Sequence, residues 1–204
     1  MFSRFNSSGL TLYSKDKIVD QWNVKGSLDF APGSASCISA DCNGNDKKEI
    51  YFFTLSGDSI LMNCLDDDML NLKFSNRLIA RTGRGINKPD PSILQVEPDD
   101  LNGDSINELI FGVASGFSKY PRTIYAYYPE NDSLVSSPES SFFIMKIAQA
   151  DVNGDGFREI IPYGYGASNV PVEDTKYHDH SGWLVVLDRN LDFLFDPIEF
   201  KGEY

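Results

Sequence analysis

Three short stretches of this chain place oxygen-bearing side chains at a spacing suited to a hard cation. Each follows one rule, with Asp at position 1, Asn at 3, Gly at 4, Asn or Asp at 5 and Glu at 9. Calcium takes about six to eight oxygen ligands at roughly 2.3–2.6 Å, and alternate side chains on a tightly curled loop can aim carboxylate and amide oxygens at one centre. The candidate ligands are Asp41, Asn43, Asn45 and Glu49; Asp100, Asn102, Asp104 and Glu108; and Asp151, Asn153, Asp155 and Glu159. Backbone carbonyls at position 7, those of Lys47, Ile106 and Phe157, would each add an oxygen. Gly44, Gly103 and Gly154 permit the backbone conformation that such a curl needs. Up to three Ca2+ ions are therefore expected, one per loop. The first loop carries Asn45 where the others have Asp, and Asp46 where the third has Gly156, so it is expected to bind most weakly.

Two other readings compete for these residues. An EF-hand loop shares the spacing of the first ligands but requires a bidentate Glu at position 12 and flanking helices. Position 12 is Phe52, Phe111 and Pro162, which excludes that loop in all three copies. Asp, Asn and Gly also mark tight turns without any metal. Three copies in register, each with an acid at the same far position, favour the metal.

The elements that must position these loops recur with them. The segments SCISADCNGNDKKEIYFF from Ser36, LQVEPDDLNGDSINELIF from Leu94 and MKIAQADVNGDGFREIIP from Met145 align on their acids, and the first aspartates stand 59 and 51 residues apart. Apolar residues recur in phase: Cys37, Val96 and Ile147 before each loop, Ile50, Leu109 and Ile160 after it. The flanks are rich in Ile, Val, Phe and Tyr and show no 3.6-residue period, so they predict strands. Each unit offers two further strands, at Ser59 to Cys64 and Leu70 to Phe74, at Thr123 to Tyr128 and Ser133 to Val135, and at Trp183 to Leu187 and Leu191 to Phe195. Leu10 to Tyr13 and Ile18 to Val24 resemble the outer strands of an earlier unit. The expected fold class is all-β, a β-propeller of four-stranded blades at about 1–30 (partial), 31–80, 91–138 and 141–198. About three and a half blades fall short of a ring of roughly four to eight, so the array is expected to continue in residues outside this sequence.

The pattern DxNGDGxxE followed by an apolar pair, fullest in ADVNGDGFREII from Ala150 to Ile161, resembles the FG-GAP and VCBS-type repeats of integrin α-subunit propellers and bacterial surface proteins. The resemblance covers most of the chain between Cys37 and Phe195. It implies a seven- or eight-bladed propeller with one calcium per repeat in an extracellular, periplasmic or cell-surface setting. The residues that give the family its name are only partly present, as Phe111-Gly112 and Tyr163-Gly164, so integrin-type recognition does not carry over. The segment GWLVVLDRNLDFLFDPIEF is similar to propeller sensor domains of some bacterial two-component kinases.

Composition and the remaining motifs narrow the function further. The 204 residues carry a formal charge of −12, which argues against a nucleic-acid partner, since phosphate binding needs clustered Lys and Arg. No stretch has the apolar length of a membrane span, and the first residues lack the apolar core of a signal peptide. Cys37, Cys42 and Cys64 have no paired CxxC spacing and imply no disulfide framework. His178 and His180, with Asp174 and Asp179 nearby, have the ligand types of a transition-metal site, yet two His in one polar loop read more simply as solvated surface. Residues 167–181 form the longest insertion and are the expected contact for a protein or glycan ligand. RLIARTGRGINKPD, from Arg77, reads as a solvated connecting loop in preference to an anion-binding one. The GDSI tetrads at Gly57 and Gly103 resemble a lipase serine motif, but the two histidines share one loop and leave no Ser/His/Asp relay. No enzyme is expected. The leading expectation is a calcium-stabilised scaffold for adhesion or sensing. The alternatives are a non-catalytic, carbohydrate-binding propeller of a polysaccharide-active enzyme, and a purely structural propeller with inert turns.

Overall fold

The β-forming runs on either side of each acidic loop pair with one another. The computed structural model of the chain describes residues 2–6, 9–14, 17–22, 24–27, 30, 34–35, 37–68, 71–83, 89–140, 142–170 and 176–200, the first three stretches as backbone only. Among these residues every regular element is a β-strand, so the chain is all-β. Strands β1 (Phe2–Asn6), β2 (Gly9–Ser14) and β3 (Lys17–Trp22) form an antiparallel sheet in sequence order. The sequence predicted two strands here. The third, β1, has few apolar residues and is held by its backbone ladder to β2, which a hydrophobic pattern does not report.

Two four-stranded antiparallel meanders follow. The first runs β4 (Cys37–Ala40), β5 (Glu49–Ser56), β6 (Ser59–Leu65) and β7 (Leu72–Arg81). The second runs β8 (Pro91–Gln95), β9 (Leu109–Ser115), β10 (Arg122–Tyr128) and β11 (Ser133–Ser136). The acidic loops join β4 to β5 and β8 to β9. A third joins β12 (Phe143–Ala150) to β13 (Glu159–Tyr165), a two-stranded pair. The strand-to-strand placement expected of all three loops is what the structure has. None of the described sheets closes into a barrel or ring.

The two central strands of each meander are its most deeply buried. All of β9 is buried, and β5 is buried except at Ile50 and Ser56, because both faces of each sheet are covered. One core joins the two meanders, bringing Tyr51, Phe53 and Met62 against Leu109, Phe111 and Tyr125. The Phe53 and Phe111 rings lie 4.8 Å apart, within the range of favourable aromatic packing. A second core covers the opposite face of β9 and β10 with Phe142, Ile144, Ile160, Val185 and Leu187. Gly57, with φ 62°, leads the two-residue Gly57-Asp58 turn between β5 and β6, a tight hairpin for which glycine is suited.

Four expectations require correction. In the third unit only Trp183 and Leu184 of the expected Trp183 to Leu187 are strand, and Leu191 to Phe195 is not. Instead β14 (Gly182–Leu184) pairs with β15 (Ile198–Phe200), and isolated bridges join Leu187 to Ile160 and Phe193. The Asp188 carboxylate ends the pairing, since it accepts the amides of Asn190 (2.8 Å) and Asp192 (3.0 Å) in a tight turn. Arg77 to Arg81 lie in β7 rather than in a loop; Arg77 bonds Asp132, and Arg81 bonds Asp58 at 2.7 Å, so both charges are engaged. Residues 84–88 of that stretch lie outside the described residues. Cys37 is exposed and its neighbour Ile38 is buried, so the expected inward phase fails at this one position. Asp179 is fully buried rather than solvated.

Candidate metal centres

All three loops are built on the same hydrogen bonds. The first aspartate staples the curl: one oxygen of Asp41, Asp100 and Asp151 accepts the amide of Gly44, Gly103 and Gly154 at 2.9, 2.7 and 2.7 Å. Its other oxygen accepts the amide of Asp46, Ser105 or Gly156 at 2.8, 2.8 and 3.1 Å. Asn43, Asn102 and Asn153 accept the amide two residues on, at 3.0, 2.8 and 2.8 Å. Asn45, Asp104 and Asp155 do the same to Lys47, Ile106 and Phe157, at 2.9, 2.8 and 2.9 Å. Alternate residues are thereby fixed with their oxygens on the inside of the curl.

The position-9 glutamates close each loop from below. Glu49, Glu108 and Glu159 are 0, 0 and 2% exposed. One oxygen of each accepts the amide of Cys42, Leu101 or Val152, at 3.0, 2.6 and 2.8 Å. The other faces the side-chain amide of the position-3 asparagine, Asn43, Asn102 or Asn153. A buried carboxylate needs compensating donors or a cation, because burial penalises the charged form. The sequence placed these acids on the loop, but not under it.

The electrostatics differ from loop to loop. Glu49 has Lys73 Nζ 3.5 Å from its Oε1, and Asn45 turns its amide outward to Asp67 at 2.6 Å. Glu108 has no such cation among the described residues; Asp104, Glu108 and Glu130 instead gather ligand oxygens within 4.8 Å of one another. Burial, followed by repulsion from Glu130, Asp104 and Asp100, pushes the Glu108 carboxyl up to about 7. In the third loop Arg158 is directed away from Glu159, to Asp99 (2.9 Å) and Glu97 (2.8 Å) of the unit before. Asn107 makes a similar reach from the second loop to the carbonyl of Asp41, at 3.4 Å. Consecutive loops are thus linked to one another. Lys73 and Glu130 were not identifiable from loop spacing, since both come from other strands or turns and carry no motif.

The loops fit a hard divalent cation by donor type, because every inward side-chain ligand of the expected set is a carboxylate or amide oxygen. The second loop fits best, having three carboxylates around a buried position.

His178 and His180, read in the sequence as solvated surface in preference to a transition-metal site, make other contacts. His178 Nε2 lies 3.7 Å from Glu199, and His180 Nε2 lies 3.2 Å from the carbonyl of Val170. Asp179 instead pairs with Arg122 at 3.0 Å, both side chains being 0% exposed. It also accepts the amides of Asn169 (3.0 Å) and Val170 (3.1 Å). Burial alone would raise the Asp179 pKa, but these amides and the Arg122 guanidinium outweigh it and hold the carboxyl below its ordinary value. Asp174 lies outside the described residues.

Comparison of the chain with protein-family models, with curated proteins and with solved structures finds no match in any of the three.

Proposed function

We propose that this chain is a calcium-binding β-propeller scaffold, working outside the cytoplasm as an adhesion or sensing domain. The observation that carries the reading is the hydrogen-bond frame repeated in three loops, each over a fully or almost fully buried glutamate. A turn motif needs the aspartate staple alone. It gives no reason to bury a carboxylate beneath the curl, and still less to add Asp104 and Glu130 beside it.

Asp, Asn and Asp or Asn at positions 1, 3 and 5, the position-7 carbonyl and the position-9 glutamate would hold the ion in each loop. Calcium would supply positive charge, above all beside Glu108, which has no cation near it among the described residues, and would bind the two strands of each inner hairpin into one unit. The two successive four-stranded meanders, packed face to face, support blades of a propeller. Extracellular calcium modules have dissociation constants of about 10⁻⁴–10⁻³ M, which suits occupancy outside the cell. No helix among the described residues is long and apolar enough to cross a membrane.

The scaffold reading is tested by thermal unfolding in EGTA and in millimolar calcium, with magnesium as the control. A calcium-specific rise of several degrees is expected, because a ligand that binds only the native state stabilises it by mass action. Identical melting in EGTA, calcium and magnesium would leave the loops as turns and sink the proposal.

A further inference from the structure

A cleft of about 450 Å³ opens between the β8–β9 sheet and the β12–β13 hairpin. Phe117, Phe143 and Tyr165 line it, with Asp90 as its carboxylate and with no Lys, Arg or His among its described lining residues. Phe117 is 69% exposed, and the rings of Phe143 and Tyr165 lie 5.5 Å apart and tilted by 40°. Gly116 lets carboxylate and ring converge: a Cβ there would sit 2.6 Å from Asp90 Oδ2 and 3.8 Å from Phe143 Cε2.

Both walls are fixed in advance. Asp90 Oδ1 accepts the amide (2.9 Å) and hydroxyl (2.6 Å) of Ser118, and Oδ2 accepts the amide of Phe117 (2.6 Å). On the other side Arg122, held by Asp179, donates to Gly116 O (3.1 Å) and Asn169 Oδ1 (2.9 Å). Asn169 Nδ2 returns to Gly116 O at 3.2 Å.

We propose that this cleft binds a quaternary ammonium group, of the trimethylammonium type found in choline. Such a group offers no N–H and asks for no acceptor. It is held by the negative faces of aromatic rings and by a nearby carboxylate; three aromatic residues and one carboxylate line this cleft. Asp90 and Asn169 are already bonded to their own chain, so a sugar, which needs several donors and acceptors, would find chiefly the hydroxyls of Ser92 and Tyr165 among the described lining side chains. Among the described lining residues an anion would meet Asp90 with no cation to offset it. The volume suits a small ligand, since pockets of this kind run from roughly 300 to 1,000 Å³. The net charge of −12 also favours the approach of cations. None of the lining residues belongs to an acidic loop, so the inference stands or falls apart from calcium binding.

The test is calorimetric titration of the full chain with choline chloride, at constant ionic strength in calcium-containing buffer, beside the neutral carbon isostere of choline. Saturable binding is expected, with the isostere about tenfold weaker and Phe117→Ala about fivefold weaker. Phe117 is exposed, so its removal leaves the fold intact, which circular dichroism checks. Asp90→Asn removes the charge and one acceptor of the Ser118 or Phe117 donors, and is expected to weaken choline more than the isostere, which controls for the lost acceptor. Sedimentation with phosphatidylcholine vesicles separates two sources: binding to both assigns the lipid headgroup, and binding to choline alone assigns a free small molecule. No saturation by choline, equal binding of choline and isostere, or full affinity in Phe117→Ala would overturn the proposal.

Discussion

Glu108 and Asp179 are both carboxylates with no exposure to solvent, and the protein treats them in opposite ways. Asp179 receives a guanidinium at 3.0 Å and two backbone amides, and its pKa is lowered. Glu108 receives one backbone amide and one side-chain amide while Glu130 and Asp104 crowd its oxygens, and its pKa rises to about 7. One charge is balanced from within the fold. The other has no balancing cation among the described residues. Glu49 stands between them, with Lys73 close by but one-third exposed. On the proposed reading Lys73 is a second reason, outside the loop, for the first loop to bind calcium most weakly.

The sharpest way to break the comparison is at Arg122. Arg122→Met leaves Asp179 buried without its cation and is expected to cost roughly 3–5 kcal/mol in urea unfolding, with the calcium response unchanged. Glu108→Gln should do the reverse. It removes an unbalanced charge, so calcium-free stability rises by on the order of 1 kcal/mol while the calcium-induced gain shrinks. A destabilised calcium-free variant with an intact calcium response would contradict the account of the second loop.

The pH dependence of the calcium-free protein follows with opposite signs for the two acids. Asp179 has a depressed folded pKa, so its contribution is present above the ordinary aspartate value and is lost as pH falls below about 4. Glu108 has a raised one. Its contribution is present below about 4.5 and is lost as pH climbs through about 7. Urea titrations across that range should show a decline toward pH 7 that Glu108→Gln removes. The smallest effect is expected for Lys73→Met, which should tighten calcium at the first loop by about threefold in competition with a chromophoric chelator.

The parts of this molecule that were legible in the sequence are local. Strands β5, β9 and β13 follow each acidic loop where the apolar phase puts them, because a run such as Glu49–Ser56 can be buried only as a strand between covered faces. The hydrogen-bond partners within each loop are two to seven residues apart, so spacing reports them. What spacing does not report is charge brought from a distance. Arg122 and Asp179 are 57 residues apart, and Asp179 lies in a polar stretch whose composition pointed to solvent. Glu130 reaches the second loop from the turn after β10, and nothing in its neighbours marks it as a ligand. Composition also misled at Arg77 to Arg81, where the start of a basic run is strand: its backbone pairs with β6 and the Arg77 side chain stands 5.1 Å over the Tyr127 ring.

The most direct measurement is isothermal titration of calcium into chelator-treated protein, wild type beside Glu108→Gln, repeated with magnesium. The account predicts calcium-specific binding at up to three sites, with one site lost in the variant and the first loop the weakest. No calcium heat in the folded wild type, or the same stoichiometry in the variant, would contradict it.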